Sequence, residues 1–189
     1  MLERLIDSLV NAPVIKRGEY NYFIHPISDG VPSIAPSLVE EIADYIREIA
    51  DINVDYILTI EAMGIPVGSV LSLKTGLPLS IIRKRPYFLE GEVELSQSTG
   101  YSKGSLYING LKKGDRVLIV DDVISTGGTL SVLIKALQEM GVGISDVVSV
   151  IGRGKGLDKL KELGVEPKIL VSIEVSEKGV EIKDVCGAK

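Results

Sequence analysis

The sequence has no tryptophan, two phenylalanines, one cysteine and one histidine in 189 residues. A single thiol, Cys186, excludes an intrachain disulfide and a cysteine-based metal cage. The lone histidine, His25, has no Ser or Cys nucleophile motif beside it, so a structural or surface position is the simpler reading than catalysis. Long apolar runs are also missing. The longest uncharged stretches, 62–73 and 123–134, are twelve residues each and contain Gly and Ser, whereas spanning a bilayer takes about 20. Glu3, Arg4 and Asp7 occupy the place of a signal peptide's apolar stretch, so the expected compartment is the cytoplasm and no membrane partner is expected. There is no cationic surplus either: the net charge of −5 argues against a general nucleic-acid binder.

What is present is aliphatic. Hydrophobic residues make up 45% of the chain with both charge signs interspersed, which excludes disorder and suits a buried parallel sheet. Leu2, Leu5, Ile6, Leu9 and Val10 recur at helical spacing. Residues 14–36, punctuated by Pro and Gly, read as an irregular cap holding at most one short strand. Ser37–Glu40 has the form of a capping box, and Leu38, Ile42, Tyr45, Ile46 and Ile49 continue a core-facing stripe. Strands are then predicted at 56–60, 79–83, 116–120, 146–151 and 168–175, with an edge strand at 179–185. Helices lie between them at about 66–76, 128–140 and 157–163; residues 84–115 have room for a hairpin. Strands separated by single helices imply right-handed crossovers. The expected fold is α/β, an open, mainly parallel sheet with helices on both faces. It forms one domain over 1–189: an N-terminal helix and hood (1–36), an α/β core (37–175) and a C-terminal edge (176–189).

The strongest motif is Val117–Thr129. An apolar strand ends in Asp121 and Asp122, and a turn of Ser125, Thr126 and Gly127 opens a helix at Gly128 and Thr129. Ligands of open α/β sheets bind beyond strand carboxyl ends, and backbone N–H groups with hydroxyls at a helix start form an anion site. Carboxylates would repel a phosphate but accept hydrogen bonds from vicinal hydroxyls, so a ribose next to its 5′-phosphate satisfies both halves. They would also stabilise positive charge developing on the sugar. A Walker B strand end would need a Walker A, and no G-x-x-x-x-G-K-[ST] occurs.

This segment resembles the 5-phosphoribosyl-1-pyrophosphate (PRPP) signature of the type I phosphoribosyltransferases, and the element order over 38–175 resembles that family too. The resemblance implies that Asp121 and Asp122 bind the ribose hydroxyls, as the catalytic pair, and that Ser125–Thr129 bind the 5′-phosphate. Glu61-Ala62-Met63-Gly64, directly after the first parallel strand, resembles the family's pyrophosphate loop, with an implied cis bond near Ala62-Met63. Arg83 and Lys84 after the next strand would neutralise pyrophosphate, alone or across a homodimer, or else form a solvated basic run. Gln97, Ser98, Thr99, Gly100, Tyr101, Ser102 and Lys103 correspond to the family's closing lid. Phe23–Pro32 resembles the hood that roofs the base, where Phe23 or Ile24 would pack on a purine. Arg153, with Lys155 second, would donate to an oxo group on the base. Adenine-type members carry Arg where this chain has Met63 and a Glu in the lid, and both are missing here.

The overall resemblance is to archaeal-type hypoxanthine/guanine members. It implies purine salvage: transfer of the phosphoribosyl group of PRPP to hypoxanthine or guanine, giving IMP or GMP and pyrophosphate. Mg²⁺ would be carried on PRPP rather than in a protein metal site. Adenine or xanthine transfer is the alternative; a PRPP-sensing transcriptional regulator is disfavoured because no helix-turn-helix is present.

Overall fold

A computed structural model describes residues 2–99, 102–154 and 156–187, apart from the side chains at 97–99, 102, 103 and 158. The chain opens with helix α1 (Glu3–Val10), whose Leu5 and Leu9, with Leu2 just before it, are buried while Val10 faces solvent. The cap is more regular than its Pro and Gly content suggests. A hairpin of β1 (Val14–Arg17) and β2 (Tyr20–Phe23) is followed by a short helix, α2 (Pro26–Asp29). Burial of Phe23 and Ile27 in the main core gives this segment the anchors that its local sequence pattern does not display.

Helix α3 (Pro36–Ile49) starts with Pro36 in its first turn and Ala35 as N-cap, without a side-chain cap. The predicted capping box is therefore not made. Proline's fixed φ favours the first helical position and puts Ser37 inside the helix, leaving Glu40 to pair with Lys74 at 3.1 Å. There follow β3 (Tyr56–Ile60), α4 (Gly64–Thr75), β4 (Leu79–Ile82), the hairpin β5 (Val93–Thr99) and β6 (Ser102–Ile108), β7 (Arg116–Ile124), α5 (Gly128–Met140), β8 (Gly143–Arg153), α6 (Gly156–Lys161), β9 (Lys168–Ser176) and β10 (Gly179–Val185).

Six strands form one sheet in the order β10-β9-β8-β7-β3-β4, parallel except for the antiparallel edge strand β10. Successive side chains of a strand point to opposite faces. Leu118 and Val120 accordingly enter the core under α1, α3 and α4, while Val117 and Ile119 enter a second core with α5, α6 and the β5–β6 hairpin. All four are essentially inaccessible, each contributing roughly 1.5–3 kcal/mol of apolar burial. No helix among the described residues is long and apolar enough to cross a membrane.

From β3 the chain steps outward to β4, then returns to lay β7 on the other flank of β3. Connections diverge at such a switch point and leave a crevice beyond the strand ends. The opposite, amino-terminal ends carry a polar network instead. Asp51 accepts from Ser145 (2.7 Å) and Arg116 (3.3 Å), and Asp146 accepts from Lys168 (2.7 Å) and from the Asp51 N–H (2.7 Å).

Candidate active site

The crevice between β3 and β7 holds a cavity of about 630 Å³. Its floor is the end of β7. That strand runs four residues beyond its predicted end because β8 continues to pair with it, Asp121 opposite Ser149 and Val123 opposite Ile151. The two carboxylates thus sit in regular strand. Asp121 is 8% exposed, and its Oδ1 accepts from the Asp122 N–H at 3.1 Å. Burial pushes both carboxyls above the usual range, and repulsion from Asp121 adds to the rise at Asp122. The Lys84 charge opposes the rise at Asp121 without outweighing burial, and two adjacent acids so placed favour holding a proton between them. Hydrogen-bond donors placed against them would favour their ionised form.

Beyond Ile124 the chain turns through Ser125–Gly127 into α5, and residues 121–130 all line the cavity. The first-turn N–H groups of a thirteen-residue helix lack intrahelical partners and carry the positive end of its dipole. Gly127, the N-cap, has φ +68°, and a Cβ there would lie 2.3 Å from the Gly156 carbonyl oxygen. Gly156 in turn has no room for a Cβ against the Ser125 oxygen, also 2.3 Å away. The turn is therefore braced by the first residue of α6, a residue that the linear motif does not reveal.

The β3–α4 connection supplies the second wall through Glu61, Ala62 and Met63, with Lys84 beside them. The Glu61–Ala62 peptide is cis, one bond earlier than the resemblance implied. Gly64 lies beneath the wall, because a Cβ there would clash with Thr59 Oγ1. Glu61 Oε2 pairs with Arg83 Nε at 2.9 Å and Oε1 accepts from the Lys84 N–H. Arg83 is thus neutralised within the chain and does not line the cavity, whereas Lys84 does.

The hood wall departs most from the sequence reading. Phe23 is 3% exposed and belongs to the core; neither it nor Ile24 lines the cavity. The Arg153 guanidinium lies over the Tyr20 ring at 4.2 Å and donates to the Asn21 carbonyl at 2.9 Å, so it ties the hood hairpin to the end of β8. Lys155 lies outside the described residues, as do Gly100 and Tyr101. Gln97, Ser98, Thr99, Ser102 and Lys103 are described in backbone only, as paired strand. From this hairpin Gly104 and Ser105 reach the cavity, and from the hood Ser28 does; Ser28 lies inside the expected hood, but Phe23 and Ile24 were the residues expected to meet the base.

His25 is fully buried. Its Nδ1 accepts the Ile27 N–H at 3.2 Å, which assigns the proton to Nε2, facing Ser8 Oγ at 2.9 Å. Burial lowers its pKa to about 4. It caps α2 and is away from the cavity. Among the described residues no three His, Cys, Asp or Glu side chains gather as a metal site.

An open parallel sheet that presents paired acids and an amide-lined helix start in one crevice defines an enzyme for phosphorylated sugars. The chain belongs to the phosphoribosyltransferase family: the family model for the phosphoribosyl transferase domain matches residues 34–183. It is 82% identical over 187 residues to the hypoxanthine/guanine phosphoribosyltransferase of Methanosarcina acetivorans, covering 99% of each chain. It is 58% identical over 189 residues to the protein of that name in Methanohalobium evestigatum, covering 100% of each. Among solved structures, the adenine phosphoribosyltransferase of Thermoanaerobacter pseudethanolicus superposes with a TM-score of 0.71 at 21% identity, over 91% of this chain and 99% of that one. That of Leishmania tarentolae gives 0.71 at 19%, over 90% and 87%. At these identities the likeness is one of fold.

Proposed function

We propose that this chain transfers the phosphoribosyl group of PRPP to hypoxanthine or guanine, forming IMP or GMP. The observation that carries the chemistry is the single cavity joining the Asp121–Asp122 pair, the Ser125–Thr129 turn and Lys84. The 6-oxopurine assignment is supported by relatives of that name at 78–82% identity over nearly the whole chain.

The residues divide the substrate between them. The α5 amides and the Ser125, Thr126 and Thr129 hydroxyls hold the 5′-phosphate, and Asp121 and Asp122 accept from the ribose 2′- and 3′-hydroxyls. Glu61, Ala62, Met63 and Lys84 face the pyrophosphate. Purine N9 forms its bond to C1′ as the C1′–O bond to pyrophosphate breaks; the electron pair leaves with pyrophosphate and the N9 proton goes to solvent. Charge that develops on the ribose ring lies beside the two carboxylates, so the protein's contribution is positioning and electrostatic stabilisation. The β5–β6 hairpin, whose Gly104 and Ser105 line the cavity, is proposed to close over PRPP and exclude water, which would otherwise capture the sugar.

Oxygen donors at Asp121 and Asp122 next to the pyrophosphate wall, without a three-carboxylate cage among the described residues, fit Mg²⁺ held mainly by phosphate oxygens and water. There it would offset the pyrophosphate charge that Lys84 alone does not balance. We place the reaction in the cytoplasm, in a homodimer.

The test is nucleotide formation by purified protein from PRPP with hypoxanthine, guanine, xanthine or adenine. IMP and GMP formation is expected to exceed the other two by at least tenfold. Adenine turnover alone would overturn the base assignment and leave the PRPP site standing.

A further inference from the structure

The hood contributes one side chain to the cavity wall, Ser28, and its hydroxyl is already committed. Ser28 Oγ donates to Asp29 Oδ2 at 2.7 Å; the other acceptor in reach among the described residues, the His25 carbonyl, is at 3.4 Å. A hydroxyl has one proton and two acceptor lone pairs. With the proton given to Asp29, Ser28 can only accept from a ligand.

Asp29 cannot reverse this polarity. It also accepts from the Tyr22 hydroxyl and, at 3.1 Å, from the His25 N–H. Burial alone would raise its pKa, but the hydrogen bonds from Tyr22, Ser28 and His25 outweigh it and hold the carboxyl below its usual range. It is therefore ionised at neutral pH and has no proton to offer. Tyr22 is held in its protonated, donating state, its pKa raised to about 12 by burial and by Asp29. The network thus has one polarity: Tyr22, Ser28 and a backbone amide all donate inward to one carboxylate.

The rest of the cavity is taken up by the sugar phosphate and pyrophosphate walls, so the hood side remains for the base. A 6-oxopurine carries a proton on ring N1, where adenine has a bare lone pair. We propose that Ser28 reads the six-membered ring of the base as an obligate acceptor, selecting purines with N1–H, and that Asp29 acts as the positioning residue that fixes this polarity. The assignment rests on the transfer reaction proposed above. It gives the 6-oxopurine preference a residue, in place of the Arg153 donor that the hood hairpin engages.

The test measures kcat/KM for hypoxanthine, guanine and adenine, with adenine also titrated as a competitor of hypoxanthine. In Ser28→Ala the base N–H loses its acceptor. We expect kcat/KM for hypoxanthine and guanine to fall roughly ten- to a hundredfold, while adenine inhibition strengthens or holds and the KM for PRPP stays within about twofold. Ser28→Thr, which keeps the hydroxyl, restores most of the loss. Asp29→Asn can donate from its amide, lets Ser28 turn its proton to the ligand, and narrows the hypoxanthine-to-adenine ratio. Thermal melting of each variant confirms folding. An unchanged ratio in a folded Ser28→Ala, with wild-type IMP formation intact, overturns the proposal. Absence of IMP and GMP formation by the wild type overturns the reaction assignment instead.

Discussion

At the scale of single residues, burial sets the charge states. Asp122 is expected to be worth far more to turnover than to stability. Asp122→Asn should lower kcat/KM by at least a hundredfold, as loss of a stabilising charge beside the reacting carbon does elsewhere, while leaving the free protein equally or more stable. The sign follows from proton counts. A carboxyl raised above its unfolded value binds more protons in the native state between the two pKa values, so native stability declines as pH rises through that window. Melting temperature against pH should show that decline in the wild type and a shallower one in Asp122→Asn. His25 works in the opposite sense. Its folded pKa of about 4 lies below the usual 6.5, so the unfolded chain binds the extra proton and stability is lost as pH falls from about 6.5 to 4. The loss is on the order of 3 kcal/mol. Because it is the only histidine, one imidazole resonance followed by proton NMR checks this directly; titration near 6.5 would contradict the buried Ser8 contact. Arg153 belongs to this scale as well. Substituting Met should cost about 1–2 kcal/mol through the lost Tyr20 stacking and the Asn21 hydrogen bond, read by urea unfolding, with the KM for base raised more than the KM for PRPP.

At the scale of elements, the β7–turn–α5 unit was legible almost residue by residue. A strand of aliphatics, a pair of acids and a Gly-containing start to an amphipathic run each have a local signature, and the helix bounds Gly128–Met140 with Gly141 after them were readable for that reason. The end of β7 was not, because it depends on β8 pairing across the sheet. The hood was the least legible. Phe23 was expected to pack on the base, but its ring is consumed by the core, and Arg153 was expected to donate to the base but stacks on Tyr20. Such placements follow from long-range packing that no local window encodes. The brace between Gly127 and Gly156 is another example, and it is testable: Gly127→Ala meets both a positive φ and a carbonyl 2.3 Å from its new methyl carbon. It should destabilise by about 1–3 kcal/mol and raise the KM for PRPP at least tenfold. A melting temperature and KM both equal to wild type would show that the turn has another conformation available.

At the scale of the whole molecule, the alternation of strands and helices made the parallel sheet readable, whereas the strand order, and hence the crevice, had to come from the assembled sheet. Ligands that bind only the native state stabilise it by mass action, about 2.7 kcal/mol at a hundredfold excess over Kd. PRPP with Mg²⁺ should therefore raise the melting temperature by several degrees, and hypoxanthine alone by much less, if the proposed division holds and the turn amides and hydroxyls serve the sugar phosphate. A larger shift with the free base than with PRPP would reverse the assignment of the walls.

The amino-terminal pole of the sheet, where Asp51, Ser145, Asp146, Arg116 and Lys168 interlock, lies a strand's length of about 26 Å from the phosphate turn. That separation makes it the natural place for a handle. A dye, biotin or resin linker anchored there by way of an introduced thiol sits clear of substrate traffic, so the immobilised enzyme should retain its turnover while its chemistry proceeds at the far end.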